Sequence, residues 1–250
     1  MQKADKYAEA KAEISFIYQE NKGRYGYRRI TAVLHNKGMH LNHKTVRRLM
    51  KELGLVCRVR AKKYRSYKGD VGKIAPNLLN RDFQAEKPNQ KWVTDVTEFS
   101  LFGQKLYLSP ILDLYNGYLV SYTISERPVL SMVTTMLAKA FATIPDGTAD
   151  PSLRPRLAIP AQAVPADAQS KRHPAKYERK GNCLDNAVAE NFFGLLKSEL
   201  LYLQKFQSMQ HFKQELIDYL DYYNNRRIKT KLKGLPPAIH RQQAFSCLNN

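Results

Sequence analysis

Acidic residues are scarce in this chain of 250 residues: 22 Asp+Glu stand against 41 Lys+Arg, for a formal charge of +19 and a sequence pI near 9.8. That balance argues against an acidic-substrate scavenger or a typical metabolic enzyme. Cysteine is scarce too. Cys57, Cys183 and Cys247 are odd in number, far apart and in no CxxC spacing, so neither a disulfide framework nor a zinc knuckle is indicated and a reducing compartment is the simple reading. There is no run of eighteen apolar residues, and the start, Met1-Gln2-Lys3-Ala4-Asp5, lacks the apolar stretch of a secretory signal; a soluble, cytoplasmic protein with no membrane partner is expected. What is present is enough apolar material for a core, 43% hydrophobic and 10% aromatic, in one or two domains.

The positive charge is concentrated. Residues 1 to 73 hold 19 of the Lys+Arg and 6 of the acids, a net of +13 out of the +19. Charge gathered in this way releases counterions from a nucleic-acid backbone, an affinity that needs no base recognition. Within this third the apolar spacing is helical three times: Ile14, Ile17, Tyr18; Ile30, Val33, Leu34; and Val46, Leu49, Met50, Leu53. Asn42 is placed to cap the third helix and Gly54 to follow its end. Two short helices across the turn 38–42 describe a helix-turn-helix in residues 1–56, with Arg28 and Arg29 on its first helix and Lys44, Arg47, Arg48 and Lys51 on the polar face of its second, suited to a major groove or to phosphates. Residues 57–86 then read as a basic linker in which Tyr64 and Tyr67 interleave with Arg58, Arg60, Lys62, Lys63, Arg65, Lys68 and Lys73. His35, His40 and His43 have no cysteine pair beside them, which leaves little case for a zinc module.

After Pro76 the pattern changes to strands. Trp92 to Phe99, Lys105 to Leu114 and Tyr118 to Ile124 predict three consecutive antiparallel strands, the last two joined by a type I′ turn at Asn116-Gly117. Helices are predicted over 130–142, 186–200 and 208–224, the last capped by Ser208. Such a mixture is consistent with an α/β fold of the ribonuclease H-like type without singling it out. Asp95, predicted at mid-strand among apolar neighbours, is costly there unless it is paired or binds a metal. Glu190 and Lys197, seven residues apart on one helix, share a face. A strand acid and a helix acid that converge suit Mg²⁺.

The strings GRYGYRRI (23–30), LNHKTVRRLMKELGL (41–55), KPNQKWVTDVTEF (87–99), LYLSPILDLYNG (106–117), RKGNCLDNAVAENFFGLLKSEL (179–200) and YYNNRRIKTKLKGLPPAIHR (222–241) resemble the second-frame transposases of bacterial insertion sequences, relatives of retroviral integrases with a D, D, E triad. The resemblance implies an N-terminal helix-turn-helix and an integrase core with a mixed sheet at 87–245. It also implies cutting and joining of DNA at the element's ends with Mg²⁺ or Mn²⁺, a multimer on terminal-repeat and target DNA, and a small first-frame helix-turn-helix partner. Carried over by motif, Asp95 is the first acid and Glu190 the third, both metal ligands, and Lys197 resembles the lysine that holds the DNA end. Two metal ions on three carboxylates can clamp the attacking and leaving oxygens of an in-line phosphoryl displacement.

The family's middle aspartate, in a strand of the form LHSDQG, would fall at Arg154, where no such motif exists. Residues 149–177 instead hold five of the twelve prolines, seven alanines, no glycine and one aromatic, Tyr177, a composition that predicts an irregular stretch with no core strand. Plausible codons for this stretch, read one base later, give LILHSDQGWQY, with the aspartate codon straddling Arg154 and Pro155. A pair of compensating frameshifts near Thr148 and Arg179 is therefore expected. Asp150 and Asp167, the only acids of the segment, lack the required context, so the chain as written is expected to be a catalytically impaired transposase. The alternative is a non-catalytic DNA-binding remnant that represses an intact element.

Overall fold

The computed structural model describes residues 5–59, 84–144, 156–160, 177–178 and 187–248; the basic stretch from 60 to 73 and both Asp150 and Asp167 lie outside them. Three helices come first: α1 (Ala8–Glu20), α2 (Tyr27–Asn36) and α3 (His43–Glu52). Their apolar stripes meet, burying Ile14, Ile17, Ile30, Leu34, Val46, Leu49 and Met50. Asn42 caps α3 by accepting from the Lys44 N–H at 2.8 Å. Both α2 and α3 end in Schellman turns: Gly54 at φ +67 lets Leu55 N–H reach Met50 O at 2.8 Å, and Gly38 at φ +85 lets Met39 N–H reach Leu34 O at 2.8 Å.

The sheet follows: β1 (Lys91–Thr94), β2 (Thr97–Leu101), β3 (Gln104–Asp113) and β4 (Leu119–Ser125), then α4 (Leu130–Phe141), β5 (Arg156–Pro160) and β6 (Tyr177–Glu178). β3 pairs antiparallel with β1, β2 and β4, while β5 lies parallel to β1 and β6 parallel to β5. The sheet is mixed, as an integrase core requires. Three expectations are corrected. First, Asp95 is not at mid-strand. β1 and β2 keep one register against β3, from Thr94↔Ile111 to Thr97↔Leu108, which sets Asp95 opposite Pro110; proline has no N–H for the ladder, and the strand breaks there. Second, Asn116 does not have the positive φ that a type I′ turn demands; the loop 114–118, closed by Gly117 N–H on Asp113 O at 2.7 Å, joins β3 to β4 instead. A two-residue turn with both φ positive, Phe102 (φ 53) and Gly103 (φ 70), joins β2 to β3. Third, the segment 149–178 contains strands: β5 fits the gap between Pro155 and Pro160, and a proline at a strand's last position does not interrupt it.

The chain closes with α5 (Ala187–Leu196), continued by a π-helical turn (Lys197–Leu201), then α6 (Met209–Asn225), a 3-10 turn (Thr230–Leu232) and α7 (Pro237–Leu248). Ser208 caps α6 by accepting from His211 N–H at 3.1 Å. Side-chain alternation along β1 builds a sandwich. Trp92 and Ile111 pack with Val133, Met136 and Ala140 of α4 on one face. Val93, Phe99, Leu106, Leu108 and Leu112 join Phe192, Leu196, Phe212 and Leu216 on the other. That second cluster runs on without a break into Tyr25, Ile30, Leu34 and Leu49 of the N-terminal helices, so one apolar interior serves both parts.

Candidate catalytic site and DNA-facing surface

Thr94 points its hydroxyl at Met136 of α4, so the period of two sends its neighbour Asp95 to the opposite face, where α5 lies. The ladder break leaves Asp95 free to turn its Oδ1 onto the Val96 N–H at 2.8 Å. Burial pushes its carboxyl above the usual range; the Val96 N–H pulls it back, and the charge of Glu190 on α5 adds to the rise. The structure thus puts Asp95 within electrostatic reach of Glu190. A half-buried carboxylate with a second carboxylate in reach suits a divalent cation, and the oxygen donors fit Mg²⁺. Among the described residues no third His, Cys, Asp or Glu completes a cluster with them. Lys197, two turns on from Glu190, is half-buried with its ammonium 6.0 Å from the centre of the Phe99 ring on β2.

The predicted DNA-binding cations divide into two sets. Lys44, Arg47, Arg48 and Lys51 are exposed along α3 and Arg28 is exposed on α2. Arg28 and Arg47 both lie over the Tyr27 ring, at 5.7 and 5.8 Å, and Arg48 is tethered to Glu52. Arg29 faces the other way: its guanidinium reaches Glu199 of the π-helical turn at 3.2 Å. Its guanidinium is thereby engaged in an ion pair within the protein.

Two buried ion clusters were not anticipated from the sequence. Glu199, 1% exposed, accepts two hydrogen bonds at 2.7 Å from Arg227 and one at 3.1 Å from the Tyr219 hydroxyl. Burial pushes its carboxyl up, but Arg227, Arg29 and Tyr219 overcome this and hold it below the usual range. Asp113, fully buried, accepts from Arg241 of α7 at 2.5 Å, from Asn89 N–H at 2.8 Å and from Tyr115 N–H at 3.0 Å. An acid flanked by leucine or isoleucine, in LLKSELL and SPILDLY, was the available signal; the arginine partners, remote in sequence, had none.

Three comparisons with known proteins bear on this arrangement. An HTH-like domain matches residues 5–63, and integrase core domains match residues 85–148 and 190–245. InsK of Escherichia coli (strain K12), described as a transposase for insertion sequence element IS150, is 50% identical over 98% of this chain and 87% of its own length. The chain belongs to the insertion-sequence transposases. A transposase-like protein of Haemophilus influenzae is 41% identical over 82% of this chain and 95% of its own. Among solved structures, a chain of the simian T-cell lymphotropic virus intasome in complex with a PP2A regulatory subunit aligns at 18% identity and a TM-score of 0.44, over 86% of this chain and 70% of that one. Within the transposase, the two integrase matches leave residues 149–189 unmatched, and among the described residues no helix is long and apolar enough to cross a membrane.

Proposed function

We propose that this transposase cuts and joins DNA at insertion-sequence ends through a carboxylate site built on Asp95 and Glu190, and that the chain as written has lost the middle carboxylate and with it most of its activity. The carrying observation is Asp95, at the ladder break, within electrostatic reach of Glu190 of α5, in a chain of this family. A divalent cation held there through carboxylate oxygens supplies Lewis-acid stabilisation of the charge that develops on a transferring phosphoryl group. Lys197, on the same helix face as Glu190, binds a phosphate of the DNA end beside the acids. Water is the nucleophile for cleavage and a DNA 3′-hydroxyl for strand transfer; no covalent enzyme intermediate is required. α3, with Lys44, Arg47, Arg48 and Lys51 outward, enters the major groove of the terminal repeat. Transposition needs two ends held together, so the working form is a multimer on DNA, assisted by a first-frame helix-turn-helix partner.

Impairment is supported by two observations and by one reading of the coding frame. The unmatched stretch 149–189 covers the position of the middle acid. The strand beside β1, where a carboxylate has to arrive to face Asp95, reads Arg-Leu-Ala-Ile-Pro. The shifted frame of the same stretch reads LILHSDQGWQY under plausible codons. Sequencing the coding DNA across codons 145 to 182 tests the frameshift, and a shifted frame without HSDQG sinks it. Purified protein tests the consequence: the chain as written binds a terminal-repeat duplex without cutting it, and the frame-restored chain cuts in Mg²⁺. Cleavage by the two at comparable rates overturns the proposed loss. The second reading, a repressor that occupies element ends, is favoured by the intact α3 surface and predicts salt-sensitive binding with no metal dependence.

A further inference from the structure

α5 and its π-helical continuation carry two kinds of residue on opposite sides. At about 100° per residue, Lys197 falls within a few tens of degrees of Glu190, whereas Glu199, nine residues on, lies half a turn away. One side of the helix faces Asp95. The other is held at a single buried carboxylate by groups from three parts of the chain. Arg227, beyond α6, grips Glu199 with two 2.7 Å bonds; Tyr219 of α6 donates at 3.1 Å; and Arg29 of the helix-turn-helix reaches it at 3.2 Å. Arg24, just ahead of α2, donates to the Glu199 backbone carbonyl at 2.9 Å and lies over the rings of Tyr219 and Tyr222. The contact is continued along α2 at helical spacing. Asn36 donates to Gly234 O at 3.0 Å, and Gly234, at φ +77, leaves only 3.2 Å between a would-be Cβ and Ala32. Arg29, Ala32 and Asn36 thus form the stripe by which α2 sits on the core, and Tyr25 extends it with its hydroxyl between Arg226 O and Ile228 N–H.

We infer that Glu199 is a positioning residue that couples the helix-turn-helix to the helix bearing Glu190 and Lys197. A π-helical turn is an energetically poor way to end a helix and recurs at functional sites; here it lies under the carboxylate to which the DNA-binding part is fastened. Any shift of α2 as α3 engages DNA pulls through Arg29 and Arg24 on Glu199, and along one continuous helix on Glu190. The inference rests on the proposed DNA-binding reading of α3, and it assigns Arg29 to this joint.

The test uses the full chain and backbone amide exchange over residues 187–201, with and without a duplex carrying the terminal repeat of the encoding element. Arg29→Met is the main variant: its side chain is 24% exposed, and its loss leaves the Arg227 grip in place. In the unaltered chain the duplex slows exchange in α5 roughly tenfold. Arg29→Met binds the same duplex within about threefold and loses that response, and Arg29→Lys restores it in part. Glu199→Gln, which keeps the shape and an acceptor for Arg227, serves as the second variant and loses the response likewise. The inference is overturned by a response in Arg29→Met equal to that of the unaltered chain, or by none in an unaltered chain that does bind. An Arg29→Met chain that binds roughly tenfold more weakly with α5 still responsive also overturns it, making Arg29 a DNA ligand. Failure of the unaltered chain to bind the duplex overturns the DNA-binding reading itself, and the coupling with it.

Discussion

At the scale of the residue, the chain holds its sheltered acids in two distinct ways. Half-buried Asp95 has a second carboxylate within electrostatic reach, whereas buried Asp113 and Glu199 are each satisfied by arginine. In a frame-restored chain, Asp95→Asn or Glu190→Gln lowers end cleavage by about a hundredfold to a thousandfold with duplex binding unchanged, measured by gel-based cleavage against a binding titration. Arg241→Met leaves the Asp113 carboxylate buried with only two backbone donors, Asn89 and Tyr115, and costs about 3 kcal/mol in urea unfolding, the scale of a broken buried pair. A cost under about 1 kcal/mol shows the pair to be incidental. Asp95, Glu190 and Lys197 could be singled out in the sequence because each stands in a recognisable motif, and the fold sets Asp95 within electrostatic reach of Glu190. Arg29 was misread. Its neighbour Arg28 is exposed while Arg29 docks, and a basic pair on a helix does not disclose which member meets a second domain.

At the scale of the element, local chemistry and tertiary pairing competed. The helices of the N-terminal part and the caps at Asn42 and Ser208 follow from apolar period and capping residues, and they form where those signals lie. The β3–β4 connection did not follow its Asn-Gly signal: Asn116 is pulled inward, donating its amide to Pro237 O at 3.0 Å, and this contact with α7 overrides the turn preference. The tight turn falls instead on Phe102-Gly103, where an exposed phenylalanine is held at φ 53. Phe102→Asn, a residue that accepts this conformation readily, raises stability by about 1 kcal/mol, read as a higher urea midpoint with an unchanged slope; no gain means that the ring finds compensating contacts on the hairpin. The prolines of 149–178 misled for another reason. Their number was counted where their positions mattered, and four residues between Pro155 and Pro160 suffice for a strand that β1 then pairs.

At the scale of the whole molecule, the helix-turn-helix and the core share one apolar interior and one buried ionic joint. The ionic joint sets a pH limit. Glu199 has a folded-state proton affinity below its unfolded one, so its contribution is fully present above the ordinary glutamate range and is lost as pH falls through the lower, folded value. Thermal unfolding between pH 7 and pH 3 therefore falls most steeply on the acid side of about pH 4.3, and Glu199→Gln flattens that limb. An equally steep limb in Glu199→Gln assigns the acid sensitivity elsewhere.

The stripe by which α2 sits on the core has a further consequence, one of measurement along DNA. With Gly234 against Ala32 and Asn36, α3 is held on the core that carries Asp95 and Glu190, so that, on the proposed DNA-binding reading of α3, the protein would act as a ruler. Where one subunit both reads and cuts an end, the interval between the recognised bases and the cut phosphate belongs to the protein rather than to the DNA. Each base pair added within that interval swings the phosphate by about a tenth of a turn, so cutting rises and falls with the helical repeat instead of fading smoothly with length.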